Sequence, residues 1–172
     1  MVNILSVGNE LYTVLSRVYN QEYLLLTELP NAITVFDCNY EMQYSPSYTG
    51  NIVISSSIDY QFCMPFGNAI QILLSQDYRM FLMTVQCNTV AIFLTSNGQF
   101  KIFDSHSRDP YGFPHAMGTC VLLTIESLEK LINYIETMYS DHDIASLSYE
   151  LRGVNIFDQT ELNNCSCHTT KC

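Results

Sequence analysis

Phe103-Asp104-Ser105-His106-Ser107-Arg108-Asp109 is the stretch that organises this chain. It closes an apolar run, Gln99–Ser105, which Ser96-Asn97-Gly98 joins to another, Thr89–Thr95. Asn-Gly between two such runs is the strongest short-range hairpin signal, because a tight hairpin turn needs residues that accept positive φ. The reading is an antiparallel hairpin whose second strand carries Asp104 and His106 to the end of a sheet. Residues i and i+2 of a strand point to one face. A carboxylate and an imidazole therefore sit side by side, where the carboxylate can orient the ring and support its protonated form. An Asp-x-His at a strand end can equally be a polar cap on a loop. Three local features favour chemistry. The strand is strongly apolar, so the pair stands at the mouth of a core. The following segment, 107–118, holds Pro110, Gly112, Pro114 and Gly118 and can shape a cleft. Arg108 and His115 add polar groups nearby.

Working outward, a third apolar run, Arg79–Val85, precedes the hairpin. Leu11, Tyr12, Leu15, Val18 and Tyr19 recur at helical spacing and predict a helix over 8–20. Residues 22–26 form a short apolar run that stops before Pro30. Residues 32–38 are rich in β-branched and aromatic types and read as a strand, 44–50 as a loop, and 51–55 as another strand. Phe66, Ile70, Leu73 and Leu74 share one side of a helix over 66–76, with Pro65 suited to its first turn. Thr119–Ile125 reads as a buried strand. A helix over 126–139 turns Leu128, Leu131, Ile132, Ile135 and Met138 inward. Ser146–Phe157 is a last strand, interrupted by Gly153. The sum is an α+β domain over 1–157, with a mainly antiparallel sheet and flanking helices. A polar, flexible tail covers 158–172.

Composition narrows the function. With 172 residues, of which 48% are hydrophobic, the chain can bury a core and does not read as disordered. Charged residues are 14% against a usual share of about 25%, and the net charge is -10. No Lys/Arg cluster supplies a nucleic-acid footprint. The apolar runs are too short and interrupted to span a membrane. The N-terminus lacks a signal peptide's basic start and long apolar core. An intracellular, reducing compartment (cytoplasm or nucleus) is expected, with the seven cysteines mostly free thiols. No Gly-rich phosphate loop or dinucleotide fingerprint is present.

An imidazole beside a carboxylate calls for a nucleophile. Cys63, in Gln61-Phe62-Cys63-Met64-Pro65, precedes the helix over 66–76, and a thiol at a helix N-terminus gains thiolate character. Against it, Cys63 lies in an apolar run and Pro65 separates it from the helix. Cys120 and most other cysteines read as small buried hydrophobes. Cys165, Cys167, His168 and Cys172 are soft ligands that can bind zinc, but their spacing matches no finger and the segment has little apolar support. It reads as tail, with no metal assigned.

Gln99-Phe-Lys-Ile-Phe-Asp104-Ser-His106-Ser-Arg-Asp, then Gly118-Thr-Cys-Val-Leu-Leu and Ser127-Leu-Glu-Lys-Leu-Ile-Asn-Tyr, resemble the catalytic end of deubiquitinases related to the herpesvirus large tegument protein. The resemblance extends through Tyr23-Leu-Leu-Leu-Thr-Glu-Leu-Pro30, Tyr48-Thr-Gly-Asn-Ile52 and Met64-Pro-Phe-Gly67, covering most of 8–157. It implies a papain-like cysteine-protease fold with His106 as general base and Asp104 as its orienting partner. It also implies ubiquitin or a ubiquitin-like protein as partner and no metal or organic cofactor. The implied reaction is hydrolysis of the isopeptide bond after ubiquitin's C-terminal glycine, by thiolate attack, an acyl-enzyme and then water.

In that family the nucleophilic Cys and an oxyanion-stabilising Gln lie ahead of the segment that Val7-Gly-Asn-Glu-Leu-Tyr12 resembles. This chain starts at Met1 and has no Cys before Cys38. The expectation is therefore a domain that is incomplete at its N-terminus and lacks the nucleophile segment. Open readings are an inactive relative that binds ubiquitin or another protein, a fragment of an active enzyme, and a chain in which Cys63 has taken over. A structural or host-interaction protein with no link to ubiquitin is a further class.

Overall fold

The computed structural model describes residues 2–19, 25–52, 62–139 and 147–159. The chain divides into two compact units, one of residues 1–43 with 156–172 and one of residues 44–155.

The first unit contains helix α1 (Val2–Tyr19), a 3-10 turn at Leu26–Glu28, and strands β1 (Ala32–Val35) and β2 (Cys38–Tyr44). α1 starts six residues before the helix expected from residue 8. The single strand expected over 32–38 is instead the first arm and turn of a hairpin, with Ala32 facing Glu41 and Val35 facing Cys38. Its turn residues, Phe36 and Asp37, have φ of +50° and +62°. Positive φ at both central positions is the requirement of a type I′ turn, here met without glycine. That is why composition did not mark the turn. The apolar run over 22–26 falls largely outside the described residues.

The second unit carries the site. Its strands are β3 (Tyr48–Asn51), β4 (Met80–Val85), β5 (Asn88–Leu94), β6 (Phe100–Arg108), β7 (Thr119–Ile125) and β8 (Ser148–Asp158), and its helices are α2 (Phe66–Ser75) and α3 (Leu128–Met138). Within it the antiparallel order is β3–β8–β4–β5–β6–β7. β3 begins inside the segment expected to be loop, and residues 53–55 of the next expected strand lie outside the described residues. β8 passes unbroken through Gly153. A Cβ there would stand 2.5 Å from the Tyr78 ring, so glycine admits a packed aromatic rather than interrupting the strand.

The expected hairpin is present. Ala91 pairs with Phe103 and Leu94 with Phe100. Thr95 N–H donates to Gln99 O at 2.8 Å, and Gly98 takes φ +81° at the end of the three-residue loop. This is the three-residue hairpin loop that places glycine in the left-handed region.

One sheet face is apolar and covered. Phe81, Met83 and Val85 of β4, Val90 and Ile92 of β5, and Phe100 and Ile102 of β6 alternate onto it, each 3% exposed or less. α2 contributes Phe66, Ala69, Ile70 and Leu73, and α3 contributes Leu131, Ile135 and Met138 to the same core. Fully burying each large aliphatic or aromatic side chain contributes about 1.5–3 kcal/mol. Pro65 caps α2 from an extended conformation (φ -58°, ψ 145°) rather than entering its first turn. α2 ends in a Schellman arrangement with Asp77 at φ +64°, where Tyr78 N–H reaches Leu73 O and Asp77 N–H reaches Leu74 O, both at 3.1 Å. Ser127 caps α3 by accepting from Lys130 N–H at 3.2 Å.

β7 corrects an expectation. It is an edge strand of this sheet, and Leu122 is 54% exposed. Its apolar run reads as a core strand, but among the described strands only β6 pairs with it, and Leu122, opposite Phe103, points to the face away from Ile102 and the core.

Candidate active site

The period of β6 decides the site. Phe100 and Ile102 face the core, so the next residue on that face is Asp104, and its carboxylate is driven inside at 1% exposure. A buried carboxylate without partners is costly. Asp104 has three. Oδ1 accepts from His106 backbone N–H at 2.9 Å and lies 2.6 Å from His106 Nδ1. Oδ2 accepts from Arg108 Nε at 2.7 Å.

Asp104, His106 and Arg108 share a face, as alternation predicts, but an extended strand separates i and i+4 by about 13 Å. A bulge closes the gap. Asp104 stands opposite Val121 and Arg108 opposite Thr119, so four steps of β6 match two of β7. The two supernumerary residues preserve the face while drawing Arg108 back toward the carboxylate. His106 sits within the bulge with its side chain 35% exposed. The ring thus has one nitrogen on a buried anion while the side chain as a whole is partly exposed.

The loop after β6 is built by its own side chains. Asp109 Oδ1 accepts from Tyr111 N–H at 2.8 Å and Phe113 N–H at 2.9 Å. Ser107 Oγ donates to His115 O at 2.6 Å, and His115 N–H returns to Ser107 O at 3.1 Å. His115 itself takes Met117 N–H on Nδ1 at 3.2 Å and makes no hydrogen bond to the Asp104 cluster. Gly112, at φ +92°, is pressed against α3. A Cβ there would lie 2.2 Å from Tyr134 Oη, which donates to Gly112 O at 3.2 Å.

Tyr134 and Tyr139 close the buried side of the cluster. Burial pushes the Tyr134 hydroxyl up to about 12, with the Asp104 charge adding to the rise and Arg108 opposing it. Burial likewise pushes Tyr139 up to about 12, with Arg108 opposing and Asp104 adding. Both phenols therefore stay neutral beside the ion pair. Sequence reasoning missed both, since a tyrosine on α3 and one at its C-terminal cap look like ordinary core.

The cysteines do not meet the imidazole. Cys63 bridges Thr49 on the outer side of β3. β3 is four strand spacings from β6, about 19 Å along the sheet, whereas proton transfer needs about 3 Å. The strand order thus removes Cys63 as the thiol for His106. Cys120 lies between Thr119 and Val121 and so points to the face opposite Asp104. Neither it, Cys38 nor Cys63 is fully buried, and Cys87 is exposed in the β4–β5 turn, against the expectation of buried hydrophobes. Among the described residues no thiol hydrogen-bonds to His106, and no cluster of three His, Cys, Asp or Glu residues could hold a metal ion. The Cys165–Cys172 tail lies outside the described residues.

The sequence model of the herpesvirus tegument protein N-terminal conserved region matches residues 2–157. The chain belongs to that family. A solved structure supports the same fold for this tegument-protein region. It is the ubiquitin-specific protease encoded by a murine cytomegalovirus tegument protein, in complex with a ubiquitin-based suicide substrate. The likeness has a TM-score of 0.65 at 16% identity and covers 97% of this chain and 64% of that one. The α+β architecture with a mainly antiparallel sheet is therefore the fold of a viral ubiquitin protease. No curated protein matches the chain. Among the described residues of this tegument-protein region, no helix is long and apolar enough to cross a membrane.

Proposed function

We propose that this tegument-protein region is a cysteine-type deubiquitinase-like domain of papain-like type, which hydrolyses the isopeptide bond at ubiquitin's C-terminus when a nucleophilic thiol is presented to His106, and which acts inside the infected cell or the virion tegument. His106 serves as general base and Asp104 as the residue that orients it. The observation carrying this reading is the 2.6 Å contact between His106 Nδ1 and a carboxylate that is 1% exposed. The buried anion holds Nδ1, which leaves Nε2 to take a proton from a thiol and return it to the leaving amine. The loop over 109–118, tied back to Ser107 through His115, would form one wall of the approach for ubiquitin's C-terminal tail.

The test is reaction of the full chain with ubiquitin carrying a C-terminal electrophile, read by mass spectrometry. A covalent adduct that is lost in His106→Ala supports the enzyme. A second reading, a ubiquitin-binding module without catalysis, is favoured by the lack of a thiol bonded to His106 among the described residues. Saturable binding of unmodified ubiquitin in an NMR titration, with no adduct, selects it. Neither adduct nor binding sinks both.

A further inference from the structure

We propose that Arg108 is a positioning residue that, through Asp104, holds His106 in the single tautomer a general base needs. The proposal rests on the reading of His106 as a base.

The argument is one of donors and acceptors. Arg108 Nε carries a hydrogen, has no acceptor capacity, and lies 2.7 Å from Asp104 Oδ2. His106 backbone N–H is likewise only a donor and lies 2.9 Å from Oδ1. An ionised carboxylate can act only as an acceptor, and the always-charged Arg108 guanidinium is the partner that matches that form. His106 Nδ1, 2.6 Å from Oδ1, must then be the donor. The neutral ring is Nδ1–H, and Nε2 keeps its lone pair for the substrate side.

Arg108 is suited to this and little else. It is 5% exposed and its Nε is spent on the carboxylate. The bulge that interrupts the β6–β7 register brings it back onto the carboxylate. The groups around the pair add no competing donor to Asp104. Tyr134 directs its hydroxyl to Gly112 O, Asp109 accepts from its own loop, and Thr119 Oγ1 turns to Cys120 O. Tyr139 lies against the guanidinium. Without Arg108, Oδ2 is free to carry a proton or to rotate, and the carboxyl no longer dictates which ring nitrogen is protonated.

The experiment uses the full chain with ¹⁵N-labelled histidine, at a pH above the ordinary imidazole range. Long-range ¹H–¹⁵N correlations report the tautomer of His106. The unaltered chain is expected to show Nδ1–H alone, and Nε2–H there would overturn the proposal without any variant. Arg108→Gln, neutral and of similar reach, is expected to give intermediate shifts at both nitrogens. Arg108→Lys, which restores a cation that can only donate, is expected to return the single form. A folded Arg108→Gln that still shows Nδ1–H alone makes Arg108 merely structural. Should the Gln variant fail to fold, Arg108→Met is read by the same criteria. Ubiquitin takes no part in the measurement, so a failed ubiquitin probe and a wrong tautomer are separate outcomes.

Discussion

Arg108 Nε and Asp104 Oδ2 are 2.7 Å apart, on side chains 4% and 1% exposed. A charge pair this deep is sensitive to the loss of one member, because the survivor is left buried and unpaired. Arg108→Met is expected to lower unfolding free energy by about 3–5 kcal/mol. Adding Asp104→Asn to it is expected to cost less than the two single changes summed, since the double variant strands no charge. Urea unfolding of the four proteins checks this, and additive losses would show that the pair is not coupled.

His106 has a different balance of stability and activity. Its side chain is 35% exposed, and its loss leaves Asp104 with Arg108 and the backbone N–H of residue 106 still in place. His106→Ala is expected to cost about 1.5–3 kcal/mol, the worth of one hydrogen bond to a charged group, and so less than Arg108→Met. Its reaction with the ubiquitin electrophile is expected to vanish. Asp104→Asn, which offers the ring the wrong partner, is expected to slow that reaction about 10⁴-fold. Single-turnover rates measure both, and an Asp104→Asn chain as fast as the original would remove the orienting role.

The loop over 109–118 is pinned to α3 through Gly112. Both Gly112 and Gly98 have positive φ, +92° and +81°, but only at Gly112 would a Cβ meet other atoms. Gly98→Ala is expected to cost roughly 1 kcal/mol from backbone strain alone. Gly112→Ala carries the same strain plus a clash with Tyr134 and Leu123, and is expected to cost clearly more and to broaden the His106 ring resonances. Thermal unfolding of the two variants tests the ordering, and equal losses would show that the loop yields freely.

Alkaline pH should unfold the domain through its buried phenols. Tyr134 and Tyr139 are pushed up to about 12 in the folded chain, against about 10 when unfolded. In that interval the unfolded state has released protons that the native state still holds, so stability falls as pH rises. The contribution is fully present below about pH 10 and lost by about pH 12. Urea midpoints across this range, with tyrosinate absorbance followed in parallel, should fall together. Ionisation of these two phenols without loss of structure would contradict the burial argument. Tyr134→Phe/Tyr139→Phe is expected to flatten the slope.

Much of this was legible in the residues themselves. Asn97-Gly98 specified the β5–β6 hairpin because backbone conformation there is a local matter. The spacing of Leu131, Ile135 and Met138 specified the buried stripe of α3, and Asp104-x-His106 specified that the two side chains share a face. Other features were not local. The Phe36-Asp37 turn was hidden because Phe36 is poor at positive φ and is held there by the paired strands. β7 has the composition of a core strand, yet its place at the edge is a matter of strand order. Arg108 stood in the sequence as one more polar residue. Only the bulge, a register relation between β6 and β7, shortens four residues of strand enough to put its guanidinium on Asp104. The same non-local order separates Cys63 from His106. Sequence alone determined that a carboxylate and an imidazole meet. Tertiary structure decided which other groups reach them, because distances between strands depend on register and order, which no short stretch of chain encodes.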